Sequence, residues 1–121
     1  MATLTAKLTL SSSGVSSDSL NLNVSDSLIV TNPAVSLARQ SILHTAATNI
    51  LTAADNTSIT YVYLKNIDST NIITVKIDDA TAFLDLGPKE FVFLPVKGAV
   101  GLEVQANTAA CILEYGYWTK A

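Results

Sequence analysis

Charge is scarce in this sequence. Asp, Glu, Lys and Arg make up only 14% of its 121 residues, against about 25% in an ordinary soluble domain, and Ser, Thr and Asn carry the polar load instead. A lone domain relies on charge to stay dispersed, so a surface this neutral is expected to be covered by copies of itself or by a larger body. The net charge is −3, and Lys7, Arg39, Lys65, Lys76, Lys89, Lys97 and Lys120 are dispersed along the chain. Nucleic-acid binding draws on clustered cations that displace counterions from phosphates, so nucleic acid is left out of the expected partners.

Long apolar runs are also missing, and none approaches the ~20 residues that span a bilayer; a membrane is therefore not an expected partner. Met1 to Leu10 alternates threonine with aliphatics and carries a single lysine, where a secretory leader has a basic region followed by an apolar stretch. Synthesis and assembly in a cytoplasm are expected. The sequons Asn23-Val24-Ser25 and Asn56-Thr57-Ser58 then read as coincidence in a chain rich in these residues.

Catalytic side chains are the next shortage. With one histidine and one cysteine, a His/Cys zinc site lacks ligands and a nucleophile lacks its base. His44, between Leu43 and Thr45, is expected in a strand with a structural or surface role. Cys111 shares a strand face with Leu113 and reads as a small buried hydrophobe, and no disulfide forms within the chain. Asp78 and Asp79 are neighbours that point to opposite faces of an extended chain, so they read as a solvated turn. The five glycines are dispersed and make no phosphate cradle. The chain is expected not to be an enzyme and to use no metal or cofactor.

Strand patterning is what the sequence has in abundance. Leu4, Ala6, Leu8 and Leu10 alternate with Thr3, Thr5, Lys7 and Thr9, the period of a half-buried strand. Ser11 to Ser17 breaks the pattern. The duplicated Ser17-Asp18-Ser19-Leu20 and Ser25-Asp26-Ser27-Leu28 surround Leu20, Leu22 and Val24, which predicts two short strands ending at the Asn32-Pro33 turn signal. Further strands are expected near Ile42, near Ile50, and over 59–66, 72–78, 90–95, 101–106 and 110–118. Turn residues separate them at Asp55-Asn56-Thr57, Asp68 to Asn71, Asp78-Asp79, Gly87-Pro88, Lys97-Gly98 and Asn107-Thr108. Pro33 to Leu43 is the one helix candidate, and it lacks an apolar stripe.

Turn signals every 8 to 12 residues or so predict an all-β protein built as an antiparallel sandwich, with a jelly roll as one form of it. The expected organisation is one domain over 1–121, in which 41–121 make the core sandwich and 1–32 an N-terminal arm or exchanged strands. Ile73, Val75, Ile77, Leu102 and Val104 are assigned to the core. Phe91 to Leu94 is apolar on both faces, so this strand is expected to be central or to face another subunit. Tyr61 and Tyr63 share a face with Lys65, while Tyr115, Tyr117 and Trp118 cluster near the C-terminus. Phe91, Phe93, Tyr61, Tyr63, Tyr117 and Trp118 are the interface candidates, since Tyr and Trp suit contact surfaces with one apolar and one hydrogen-bonding end.

Four segments carry a resemblance: Asn56 to Ile77 (NTSITYVYLKNIDSTNIITVKI), Leu86 to Pro95 (LGPKEFVFLP), Gly101 to Ala106 (GLEVQA) and Leu113 to Trp118 (LEYGYW). In this style of strand and turn the chain resembles small virion structural proteins of tailed bacteriophages, particularly those of marine and cyanobacterial hosts. The resemblance implies a sandwich present in many copies in a virion, as a capsid decoration or cement protein, or else in the tail, collar or fibre. The doubly apolar Phe91 to Leu94 strand and the 1–32 arm predict a symmetric homo-oligomer, a trimer being the best single guess, or multiple copies ordered by a larger shell, and the resemblance adds the major capsid protein or other virion proteins as partners. A carbohydrate-binding module using Tyr61, Tyr63 or Trp118 as a stacking surface is the alternative of another class.

Overall fold

The computed structural model describes residues 2–14, 20–31, 35–77 and 81–121. The chain forms two compact units, one from residues 1–32 with Ala121 and one from residues 33–120. The first is a hairpin of β1 (Ala2–Ser12) and β2 (Leu20–Val30), paired antiparallel without a break from Ala2↔Val30 to Ser12↔Leu20. Two short strands were expected where β2 runs on as one. The reason lies in the pairing: Ser25 and Ser27 fall opposite Lys7 and Thr5 on the polar face, where small polar residues fit a solvated ribbon. The Asn32-Pro33 turn signal lies outside the described residues.

The second unit contains β3 (Val35–Ile42), β4 (Thr48–Leu51), β5 (Thr60–Asn66), β6 (Ile73–Ile77), β7 (Thr81–Leu86), β8 (Phe91–Val96), β9 (Leu102–Ala106) and β10 (Cys111–Thr119). They make two antiparallel four-stranded sheets, ordered β3-β10-β5-β8 and β4-β9-β6-β7, and the all-β antiparallel expectation holds. β6 and β7 pair, then β5 with β8, β4 with β9 and β3 with β10. The unit is thus one long ribbon that closes at β6–β7 and is wrapped so that alternate rungs enter opposite sheets. The sandwich begins at Val35, before the expected Ser41. Within the helix candidate Pro33 to Leu43, Val35–Ile42 is the strand β3, as its lack of an apolar stripe allows; Pro33 and Ala34 lie outside the described residues.

Inner faces follow the period of two. Val62 and Leu64 of β5, Leu113 of β10, Ile73 and Val75 of β6, and Leu102 and Val104 of β9 are all buried in one core. Ile77, expected inside, is exposed at the end of β6. In β4 the pairing slips between Asn49 and Leu51, so the consecutive Ile50 and Leu51 are both buried. A second slip opposite Val75 and Lys76 leaves Phe83 of β7 out of register and exposed. Such a bulge shifts the phase of the alternation, which is why β7 went unpredicted. The Asp78-Asp79 turn lies outside the described residues.

Two fully buried asparagines tie loops to this core. Asn56 donates through Nδ2 to the carbonyls of Lys97 (2.7 Å) and Val100 (2.8 Å) and accepts from the Thr60 hydroxyl at 2.7 Å. Asn66 donates through Nδ2 to the carbonyls of Asn71 (2.8 Å), Leu86 (3.0 Å) and Gly87 (3.2 Å), and its Oδ1 accepts from the Asp68 amide at 3.0 Å. The expected turn from Asp68 to Asn71 is closed by the Asp68 carboxylate, which accepts from the amides of Thr70 (2.9 Å) and Asn71 (2.6 Å). Those amides hold the Asp68 carboxyl below its ordinary pKa.

Candidate interaction surface

Alternation along β5 and β8 decides which side chains leave the core. Val62 and Leu64 point inward, so Tyr61, Tyr63 and Lys65 stand on the outer face of their sheet. On the edge strand β8, Val92 and Leu94 pack against the core, which turns Phe91 and Phe93 outward, 62% and 40% exposed. Of the two expected positions, central or facing another subunit, the central one is corrected, since β8 closes one end of the sheet order. One face meets the sandwich core and the other is an exposed aromatic surface. On β10, inward Cys111 and Leu113 put Ile112, Glu114, Gly116 and Trp118 outside.

The register assembles these positions into rows across the sheet. Trp118 lies opposite Tyr61 and Tyr61 opposite Pro95; Gly116 lies opposite Tyr63 and Tyr63 opposite Phe93; Glu114 lies opposite Lys65 and Lys65 opposite Phe91. Arg39 of β3 extends the third row beside Glu114. The Tyr61 and Phe93 rings stack on the diagonal, with centroids 6.2 Å apart and planes 10° from parallel, an arrangement favoured by the ring quadrupoles. Gly116 has a specific task here. A Cβ added to it would lie 3.0 Å from the Trp118 ring and 3.4 Å from the Leu37 side chain, so its bare backbone is the floor on which both rest.

A polar group borders the aromatic rows. The Glu114 carboxylate accepts from the Tyr63 hydroxyl on Oε1 at 3.0 Å and from Arg39 Nε on Oε2 at 3.0 Å, with Arg39 Nη2 also 3.0 Å from Oε2. The hydrogen bonds from Tyr63 and Arg39 hold the Glu114 carboxyl below its ordinary value. Burial and the adjoining carboxylate push the Tyr63 phenol up to about 12. The bridged acid is thereby fixed as an anion and the phenol as a neutral donor. What the face offers is flat apolar area edged by a preset polar cluster, suited to packing against another surface.

Five of the six interface candidates, Tyr61, Tyr63, Phe91, Phe93 and Trp118, come together on this face. Tyr117 does not: it points inward with Tyr115 and packs against the core, and burial raises its phenol's pKa. Its parity with Cys111 and Leu113 was the available signal. Arg39, Glu114 and Leu37 were not singled out in the sequence, since Arg39 and Leu37 fell within the helix candidate.

His44 is exposed in a bend after β3, not in a strand, and its carbonyl accepts from Gln105 Nε2 at 2.9 Å. Cys111 is buried, and burial, followed by the nearby Asp68 charge, raises its thiol's pKa. Among the described residues no group of three or more His, Cys, Asp or Glu is placed to hold a metal ion. The chain matches no protein-family model, no curated protein and no solved structure.

Proposed function

We propose that this chain is a non-catalytic structural component of a virion, of the capsid decoration or cement type, which binds its neighbours through the outer face of the β3-β10-β5-β8 sheet. The observation that carries this reading is the set of aromatic rows on that face. Tyr61, Tyr63, Phe91, Phe93 and Trp118 lie side by side on regular strands, with Phe91 and Phe93 among the exposed large hydrophobic residues. Contiguous exposed apolar area marks contact surfaces, and aromatic residues concentrate at their centres.

The wrapped ribbon supports the same reading: we infer from its order, β3-β10-β5-β8 over β4-β9-β6-β7, that the sandwich is a jelly roll, an architecture hosted by viral capsid and lectin domains. Fold alone does not assign function, so the weight rests on the face. In this reading each copy buries the aromatic rows across a junction between major capsid protein subunits. Rupture of the shell then has to break those contacts first. The protein acts in the virion after assembly in the host cytoplasm, and self-association into a trimer belongs to the same proposal.

Titration onto undecorated capsids of the parent particle tests this. Saturable binding and a raised disruption temperature are expected, and Phe91→Ser with Phe93→Ser should weaken binding at least about tenfold while Trp118 emission stays native. Absence of saturable binding overturns the decoration role. Immunogold label confined to the tail assigns a tail, collar or fibre position instead.

The stacked Tyr61–Phe93 pair beside Trp118 and the Arg39–Glu114 bridge also favours a second reading. Flat rings next to fixed polar groups are what a carbohydrate-binding surface uses. A glycan array without a binder at about millimolar affinity, the weak end of recognition, rejects it.

A further inference from the structure

The edge strand β8 has one neighbour in its sheet, β5. The Asn66 amide donates to the Glu90 carbonyl at 3.0 Å, and this sets the phase of the ladder, because opposed antiparallel pairs alternate between bonded and non-bonded. Val92, Leu94 and Val96 therefore turn their backbone groups toward Leu64, Val62 and Thr60, while those of Phe91, Phe93 and Pro95 turn to the open side. Pro95 falls in the phase where a missing N–H costs the ladder nothing. So short a ladder holds the middle of β8 weakly, which puts the burden on its ends.

Each end of β8 enters a tight turn whose third residue is left-handed without being glycine. The Glu90 amide closes Gly87-Pro88-Lys89-Glu90 on the Gly87 carbonyl at 3.1 Å, and the Val100 amide closes Lys97-Gly98-Ala99-Val100 on the Lys97 carbonyl at 3.3 Å. Lys89 and Ala99 both have a φ of 66°, at the position such turns reserve for Gly or Asn, since a Cβ crowds the backbone there. The glycines of these turns serve close approach instead: a Cβ on Gly98 would lie 3.3 Å from the Ser58 backbone, and one on Gly87 would strike the Glu90 carboxylate. Two buried asparagines hold the turns shut. Asn66, the last residue of β5, donates to the Leu86 and Gly87 carbonyls, and Lys89 Nζ donates to the Ile67 carbonyl beside it. Asn56, bonded to Thr60 at the start of β5, donates to the Lys97 and Val100 carbonyls, and its own backbone carbonyl accepts from the Ala99 amide at 2.7 Å.

We infer that β8 and its two turns form a latch, held closed by Asn56 and Asn66 against the strain at Lys89 and Ala99, which opens as one unit while β3, β10 and β5 stay paired. Strained residues persist where their surroundings over-determine them, and here the surroundings are the two asparagine clamps. Release of the unit relieves both strained residues at once, and with a partner on one side only it breaks a single short ladder. Regions bonded this sparingly open below the cost of global unfolding. Opening carries Phe91 and Phe93 out of the aromatic rows and ends the Tyr61–Phe93 stack, so the latch governs whether the outer face is assembled. That consequence for binding rests on the reading of the face as a contact surface; the opening itself does not.

Native-state amide hydrogen exchange of the full chain, read by NMR in rising urea, tests this. The amides of Val92, Leu94 and Val96, and across the ladder those of Val62 and Leu64, should report one common opening. The amides of Tyr61, Tyr63 and Lys65 turn to β10 instead, so alternate residues of one strand serve as the control. They should be at least about tenfold better protected, with the steeper urea dependence of global unfolding. Ala99→Gly, which removes the Cβ at a strained position and no hydrogen bond, should slow exchange of the first group at least about threefold. A single opening for both groups, protection graded from one end of β8 to the other, or an Ala99→Gly variant that exchanges as fast as the unaltered chain overturns the inference. Two exchange classes in a protein that binds no capsid uphold the latch and overturn the decoration role.

Discussion

Replacing Asn66 by aspartate or alanine asks how much of the sandwich depends on one buried amide. Its Nδ2 group faces three carbonyl oxygens, those of Asn71, Leu86 and Gly87, and its Oδ1 receives the Asp68 amide. Alanine removes every one of these bonds. The Gly87 carbonyl keeps the Glu90 amide at 3.1 Å, so the cost falls on the remaining partners. With each bond contributing about 1 kcal/mol and a stranded buried group costing about 1–3 kcal/mol, Asn66→Ala should lose roughly 3 kcal/mol.

Asn66→Asp preserves shape but turns the donor into a carboxylate oxygen facing carbonyl oxygens where the side chain has no access to water. An uncompensated buried charge costs about 3–5 kcal/mol, so at neutral pH aspartate should be the worse substitution. The pH dependence separates the two variants. Burial and the facing carbonyls favour the protonated acid, which raises its folded pKa above the unfolded value of about 3.9. The associated stability is therefore fully present below that value and is lost as pH rises through the folded pKa.

Urea unfolding followed by Trp118 fluorescence measures this. At a slope of about 1–3 kcal/mol per molar urea, the alanine variant should lose about 1–3 M in midpoint at neutral pH. The aspartate variant should lose more at neutral pH and recover part of it near pH 4. An alanine variant within about 0.5 kcal/mol of the unaltered protein, or an aspartate variant no worse than alanine at neutral pH, would refute the reasoning.

Two further outcomes concern the outer sheet face. Gly116→Val should push the Trp118 ring off the β10 backbone and shift its emission to longer wavelength while the circular dichroism of the strands persists; unchanged emission would mean the ring does not rest where the geometry has it. Phenolate absorbance should show Tyr63 ionising near the raised value of about 12, so its stabilising effect is present below pH 10 and lost as pH rises through about 12. Glu114, whose pKa is lowered, contributes in the opposite direction. Its effect is present above the ordinary glutamate value and lost as pH falls through the lowered one, and Tyr63→Phe should raise the Glu114 pKa as read by carboxyl NMR.

The strands were legible where alternation was unbroken and illegible where a bulge reset it. Ile73, Val75, Leu102 and Val104 declare the core by parity alone. Phe83, one residue out of phase, hid β7, and the paired inward residues Ile50 and Leu51 blurred β4. The face assignment is legible within a strand: Tyr117 shares the parity of Leu113 and belongs inside, whereas Trp118, one residue on, belongs outside. The assembly of the face was not legible. Nothing local makes β5 lie between β10 and β8, and that placement alone brings Tyr61 beside Trp118 and Phe93 within stacking distance.

The apolar Phe91 to Leu94 segment shows the same division between local pattern and long-range order. A strand apolar on both sides is consistent with a central position or an edge with a covered outer face, because local pattern records how much surface must be buried and not what buries it. Topology settles the first half: β8 is an edge strand with Val92 and Leu94 toward the core and Phe91 and Phe93 away from it. An exposed apolar edge is a liability that proteins blunt with charge, proline or a partner. β8 does carry Pro95 opposite Tyr61, but Phe91 and Phe93 lie beyond that proline on the open face, in the rows that also hold Lys65 and the neutralised Glu114–Arg39 bridge. Blunting of the edge is therefore incomplete in the single chain, and this is the physical ground for a partner on that face.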